Sequence, residues 1–193
     1  MRFIKGKGGF TLIELVVVII VLGILAVIAV PKFINLRTDA DTAVLKGMQA
    51  SLKSARDLLA AQIALRPENL NSAQNRFTLE NGQNVRVRGH YPDGRWNNTF
   101  SRLVEFDGVT FITSNQCTEA NSDTAWCARN RGLAWFTQRG YTTATAGRGF
   151  IIFPRGNNLN NDRCYLYYFN PNDNNVTEMG QLPTVKLDLT DCG

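Results

Sequence analysis

The chain has 193 residues, 44% of them apolar, and a formal net charge of +5. That length holds one domain of ordinary size and an appended segment. Arg2, Lys5 and Lys7 put three of the positive charges at the extreme N-terminus. The remainder is only mildly basic, with no dense Lys/Arg run, and this argues against nucleic acid as the partner.

Residues 1–9 form a short basic leader that ends in Gly8-Gly9. An apolar stretch follows over residues 10–30, about 31 Å long as a helix. That length matches a hydrocarbon core of about 30 Å. A secretory signal peptide has a shorter apolar region and a small-x-small cut site after it, and neither is present. The cations ahead of the stretch place the N-terminus in the cytoplasm and the body outside it. One charge interrupts the stretch, Glu14. A carboxylate at membrane depth costs about 2.5–3.5 kcal/mol on insertion scales, so it needs a partner. The apolar stretch supplies no cation, so the partner is expected from another chain or from a terminus made by cleavage.

Pro31 removes one helix hydrogen bond and crowds the preceding turn, so a kink or local loosening is expected there. The helical pattern then resumes. Leu36, Ala40, Ala43, Val44, Gly47, Met48, Ser51, Leu52, Ala55, Leu58, Leu59 and Gln62 recur every three or four residues and define one face. Arg66-Pro67 ends the pattern. The spacing predicts one helix over residues 10–65, about 85 Å long. Its first half is apolar all round and its second half amphipathic.

The remainder must cover that second half. Residues 68–84 are rich in Asn and Gln and read as a connecting loop. Strand-like runs follow at 85–87, 109–112, 150–153, 165–169 and 185–189, separated by turn clusters such as Pro92-Asp93-Gly94 and Pro171-Asn172-Asp173. Hairpins imply an antiparallel sheet with one face on the helix, a two-layer arrangement. The predicted fold class is α+β, with four parts: leader 1–9, transmembrane helix half 10–30, amphipathic half 31–66, and a globular sheet domain 67–193.

Cys117, Cys127, Cys164 and Cys192 all lie in the C-terminal half and form no C-x-x-C pair. An even count beyond a membrane segment points to an oxidising compartment and two disulfides. Three pairings are open; the local one, Cys117–Cys127 with Cys164–Cys192, closes each loop without an intervening cysteine. No catalytic constellation is visible. The single histidine, His90, lacks nucleophile and orienting partners, and no phosphate loop, dinucleotide fingerprint or zinc-protease motif occurs. No cofactor is expected. Asn170–Asn175 and the run from Asn157 to Asp162 offer oxygens to calcium, but each holds one carboxylate and reads equally as Asx turns. Asn97-Asn98-Thr99 and Asn175-Val176-Thr177 match the glycosylation pattern. Trp96, Trp126, Trp135, Tyr165, Tyr167 and Tyr168 are candidates for a sugar surface, with core packing as the ordinary alternative.

Gly8-Gly9-Phe10-Thr11-Leu12-Ile13-Glu14-Leu15, behind a basic leader and ahead of an apolar helix containing Pro31, resembles the prepilin signature of type IV pilins and type II secretion pseudopilins. The continuation Pro31-Lys32-Phe33-Ile34-Asn35-Leu36, with Asp39-Ala40 and Lys46-Gly47-Met48, is similar to mannose-sensitive haemagglutinin pilins. The resemblance implies cleavage by a prepilin peptidase between Gly9 and Phe10 and methylation of the new Phe10 amino group. It implies that Glu14 pairs with that amino group on a neighbouring subunit, and that the helix, loosened at Pro31, forms the core of a homo-oligomeric filament. It implies an inner-membrane precursor, an assembly motor, an extracellular pilus, and a host surface or carbohydrate as ligand. Cys164–Cys192 would resemble the C-terminal disulfide loop that pilins display outward. The alternative implied by the same leader is a pseudopilin of a short periplasmic filament.

Overall fold

The structure is a computed structural model that describes residues 10–192, the side chains of residues 30–37 excepted. The leader with Gly9, and the loosening expected at Pro31, lie outside the described residues. The chain divides into two units, one of Met1–Ala40 with Gly193 and one of Asp41–Cys192. Helix α1 (Leu12–Leu65) contributes to both.

In the first unit, Leu12–Ala29 is long and apolar enough to cross a membrane. Every described large apolar side chain from Leu12 to Ile28 is exposed, Val27 by 74%. Such a helix, hydrophobic all round, needs a surrounding apolar medium.

The second unit begins with the part of α1 from Asp41 to Leu65 and folds into two sheets. The smaller is an antiparallel meander of β1 (Leu70–Asn71), β2 (Arg76–Thr78), β3 (Asn84–Arg88) and β4 (Tyr91–Pro92). Strands β1 and β2 lie in the segment 68–84 read from sequence as a loop, and β3 covers the strand predicted at 85–87. The larger has the strand order β5 (Val109–Phe111), β6 (Trp126–Gly132), β7 (Arg148–Pro154), β8 (Cys164–Asn170) and β9 (Thr184–Leu189). A short helix, α2 (Leu133–Gln138), follows β6 directly.

Two expectations need adjustment. The larger sheet is antiparallel except at one edge, where β5 runs parallel to β6. It is also covered on both faces. Alternate residues of β7 and β8 point to opposite sides. Phe150, Ile152, Leu166 and Tyr168 pack with Leu45, Met48 and Leu52 of α1. Ile151, Phe153, Tyr165, Tyr167 and Phe169 pack with Phe136 of α2 and the loops around it. Burial on both faces gives β7 and β8 their continuous apolar runs. A third cluster joins Leu59 and Ile63 of α1 to Phe77, Val85 and Val87 of the small sheet.

The buried stripe of α1 is Leu45, Met48, Leu52, Ala55, Leu59 and Ile63. Val44 and Leu58, assigned to that face by periodicity, are exposed by 43% and 60%. Met48, Leu52, Ala55 and Leu59 belong to both sets, and the buried stripe is shifted toward Leu45 and Ile63, because the sheet selects which side of a broad apolar arc it covers. The aromatics considered for a sugar surface lie mostly in the core: Trp96, Trp126, Tyr165, Tyr167 and Tyr168 are all buried.

Candidate assembly site at the head of the apolar helix

Helix α1 starts at Leu12, two residues later than predicted, because Thr11 caps it. The Thr11 backbone N–H donates to Glu14 Oε2 at 2.9 Å, and the Thr11 hydroxyl donates to the same oxygen at 2.7 Å. In return the Glu14 N–H donates to Thr11 Oγ1 at 3.3 Å. This is a capping box: a Thr at the cap and a Glu three residues on satisfy each other's free backbone donors. The Glu14 carboxylate also sits in the first helical turn, where the helix dipole favours negative charge.

Glu14 thus has a neutral partner within its own chain, Thr11, besides the charged partner expected from another chain or from a terminus made by cleavage. The signal was present as the Thr11-Leu12-Ile13-Glu14 spacing, which the anomalous charge overshadowed. The two roles are compatible, since hydrogen bonds from neutral donors orient a carboxylate without neutralising it. Phe10, just ahead of the box, is 85% exposed.

The other sequence-selected residues lie in the second unit. Cys117 is bonded to Cys127 and Cys164 to Cys192. The first bond ties the loop after β5 to the second residue of β6; the second ties the start of β8 to the chain beyond β9. The Asn-rich loops use their carboxylates in turns: Asp162 Oδ2 accepts from the Asn158 N–H and Asp173 Oδ1 from the Asn175 N–H. His90 adopts a positive φ of 64° and its Nε2 lies 2.9 Å from the Val176 carbonyl oxygen.

Two polar clusters in this unit had no clear sequence signal. Asp93 is buried, with Arg88 Nε at 3.0 Å, Arg95 Nε at 3.6 Å and Arg148 Nε at 3.9 Å from its oxygens. Tyr141 donates to Asp188, and its hydroxyl lies 2.8 Å from that of Tyr165. Burial and those two hydrogen bonds push the Tyr141 hydroxyl far up, so it stays a neutral donor. Arg148 and Asp188 are distant in the chain from the residues they join, and so are invisible to spacing.

Comparison with known proteins bears on the first unit. Residues 4–30 match the family described as the prokaryotic N-terminal methylation motif. A type IV narrow pilus major component, PilA5 of Thermus thermophilus, is 44% identical over 54 residues, which is 28% of this chain and 47% of that protein. The aligned stretch thus spans about half the length of that relative. No solved structure matches the chain significantly.

Proposed function

We propose that this chain is a prepilin, the precursor of a structural subunit of a type IV pilus. A prepilin peptidase cuts between Gly9 and Phe10 and methylates the Phe10 amino group. Cleavage removes the basic leader and leaves a cation at the head of an apolar helix. That cation pairs with Glu14 of a neighbouring subunit, while Thr11 holds the carboxylate in place. Two subunits in register neutralise a charge that one alone leaves unpaired in lipid. Assembly is thereby driven by relief of that cost.

Helix α1 passes from the inner membrane into the filament core, and the same exposed apolar side chains serve in both settings. The disulfide-tied sheet unit forms the outer wall, and its displayed surface meets whatever the pilus attaches to. The role is structural rather than catalytic.

One observation carries this reading: an all-round apolar, exposed helix that opens on the Gly9-Phe10-Thr11 junction with Glu14 in its first turn. Mass spectrometry of sheared surface filaments tests it. The expected N-terminus is methylated Phe10, and an intact Met1 in assembled material would overturn the reading.

A further inference from the structure

The outward face of the small sheet gathers positive charge with no carboxylate set against it. Along β2 and β3 the side chains alternate between faces. Phe77, Val85 and Val87 are buried against Leu59 and Ile63 of α1, so Arg76 and Arg86 lie on the other face. These two arginines are register partners, directly opposite each other across the ladder. Like charges in that position are destabilising. Arg102, from a single helical turn over Phe100–Arg102, brings a third guanidinium. Its Nη1 donates to the backbone carbonyl of Asn84 at the head of β3. The three arginines, with Asn84 and Asn98, line a cavity of about 230 Å³.

The side chains of this cavity offer donors. Asn84 Oδ1 accepts from the Thr78 hydroxyl at 2.9 Å, and Asn98 Oδ1 accepts from the Thr99 hydroxyl at 3.4 Å. Each amide thus spends its oxygen locally and keeps its N–H2 group for an incoming acceptor. None of the lining residues is acidic. Among the described residues, Arg76, Arg86 and Arg102 form no ion pair. The carboxylates nearby are spoken for. Glu80 lines the neighbouring cavity with Arg102, but it is paired with Arg66 at 2.6 Å. Asp93 is shared among Arg88, Arg95 and Arg148.

We propose that this cavity binds the carboxylate or sulfate group of an acidic polysaccharide. Guanidiniums hold oxyanions through paired, directional hydrogen bonds. An oxyanion placed between Arg76 and Arg86 replaces their repulsion with two attractions. The amides of Asn84 and Asn98 then face the hydroxyl and ring oxygens of the sugar that carries it. Nucleic acid fits less well. Its phosphates form a continuous line, met by an extended basic groove with aromatic platforms for the bases. Here the donors converge on one cavity, and no aromatic side chain lines it. Binding belongs to the sheet unit itself; its display along a surface fibre rests on the reading of the chain as a filament subunit.

The test uses the full chain in neutral detergent at about 0.15 M salt. Immobilised polygalacturonate presents carboxylates, dextran sulfate presents sulfates, and plain dextran presents neither. Retention on either acidic polymer but not on dextran supports the proposal and identifies the group taken; retention on neither overturns it. Double-stranded DNA bound as tightly as the better polysaccharide also overturns it, in favour of a phosphate-backbone site. The R76Q/R86Q/R102Q variant should lose affinity at least about tenfold. The K46Q/K53Q/K186Q variant removes three exposed charges elsewhere and should stay within about twofold. Equal losses overturn the proposal, since net charge alone then explains retention. A second readout needs no variant. Bound polysaccharide should shield Arg76, Arg86 and Arg102 of the unaltered chain from phenylglyoxal, scored by peptide mass spectrometry, while the exposed Arg163 keeps reacting. Unchanged reactivity of the three overturns the site. None of these measurements requires filaments, so failure of the pilus reading, seen as intact Met1 in assembled material, is a separate result.

Discussion

Leu12–Ala29 and residues 45–63 belong to one helix, yet they meet opposite fates. The first presents apolar side chains on every side and none of the larger ones is buried. The second buries a narrow stripe, Leu45 to Ile63, against two sheets. Burial against its own chain stabilises the second stretch in a single subunit. Under the proposed function, lipid and then other subunits cover the first. One helix therefore carries two separable free energies, one for folding and one for assembly, and substitutions should sort cleanly between them.

The largest expected effect lies at the head of the helix. Glu14→Ala should leave membrane insertion intact and reduce assembled filaments more than about 100-fold, since removing one member of a buried charge pair costs about 3–5 kcal/mol. Immunoblots of sheared filaments against membrane fractions measure this, and normal filament amounts would end the charge-pair account. On the folding side, Cys164→Ser with Cys192→Ser should cost about 2–5 kcal/mol of stability. Denaturant unfolding of the full chain in detergent, followed by Trp fluorescence, reads it.

The comparison is sharpest between two leucines. Leu52→Ala should cost about 2–5 kcal/mol in that assay, while Leu22→Ala should leave the sheet unit unchanged within about 0.5 kcal/mol. Equal effects would break the division. Thr11→Ala removes a helix cap worth about 1 kcal/mol, so it should slow assembly several-fold without the complete loss expected for Glu14→Ala. A loss as complete as that of Glu14→Ala would mean that Thr11 does more than hold the carboxylate.

The smallest effect concerns acid. Burial raises the Asp188 carboxyl, but hydrogen bonds from Tyr141 and Thr190 and the charge of Arg163 outweigh it and leave the group below its usual range. A depressed folded value means that its contribution is present above the unfolded value of about 3.9 and fades as pH falls through the folded one. Asp188→Asn should therefore flatten the loss of stability below about pH 4. An unchanged acid limb would discount that cluster.

Periodicity and spacing carry far in the first unit because its structure is local. A run of apolar residues, a capping Thr and a first-turn Glu act through neighbours three and four positions away, and no distant residue is needed. They also locate β7 and β8, whose apolar runs reflect burial on both faces, and the edge strand β9. The same reasoning stops at β6. Trp126-Cys127-Ala128-Arg129-Asn130-Arg131-Gly132 mixes charge with small residues, yet it lies inside the larger sheet, between β5 and β7. Arg129 and Arg131 are admitted because Asn115, from a different segment, accepts hydrogen bonds from both. The shifted stripe on α1 has a similar cause: a broad apolar arc leaves the covered side to the sheet that packs on it.

The sequence by itself determined the apolar helix, its acidic first turn and the α+β class, since each depends on short-range pattern or composition. Only the tertiary structure decided which cysteines meet, that the sheet is covered on both faces, and that arginines from β3 and β7 converge with Arg95 around Asp93. Those features join residues far apart in the chain. Their energies come from burial and from charges brought together by folding, and neither quantity exists until the chain has closed on itself.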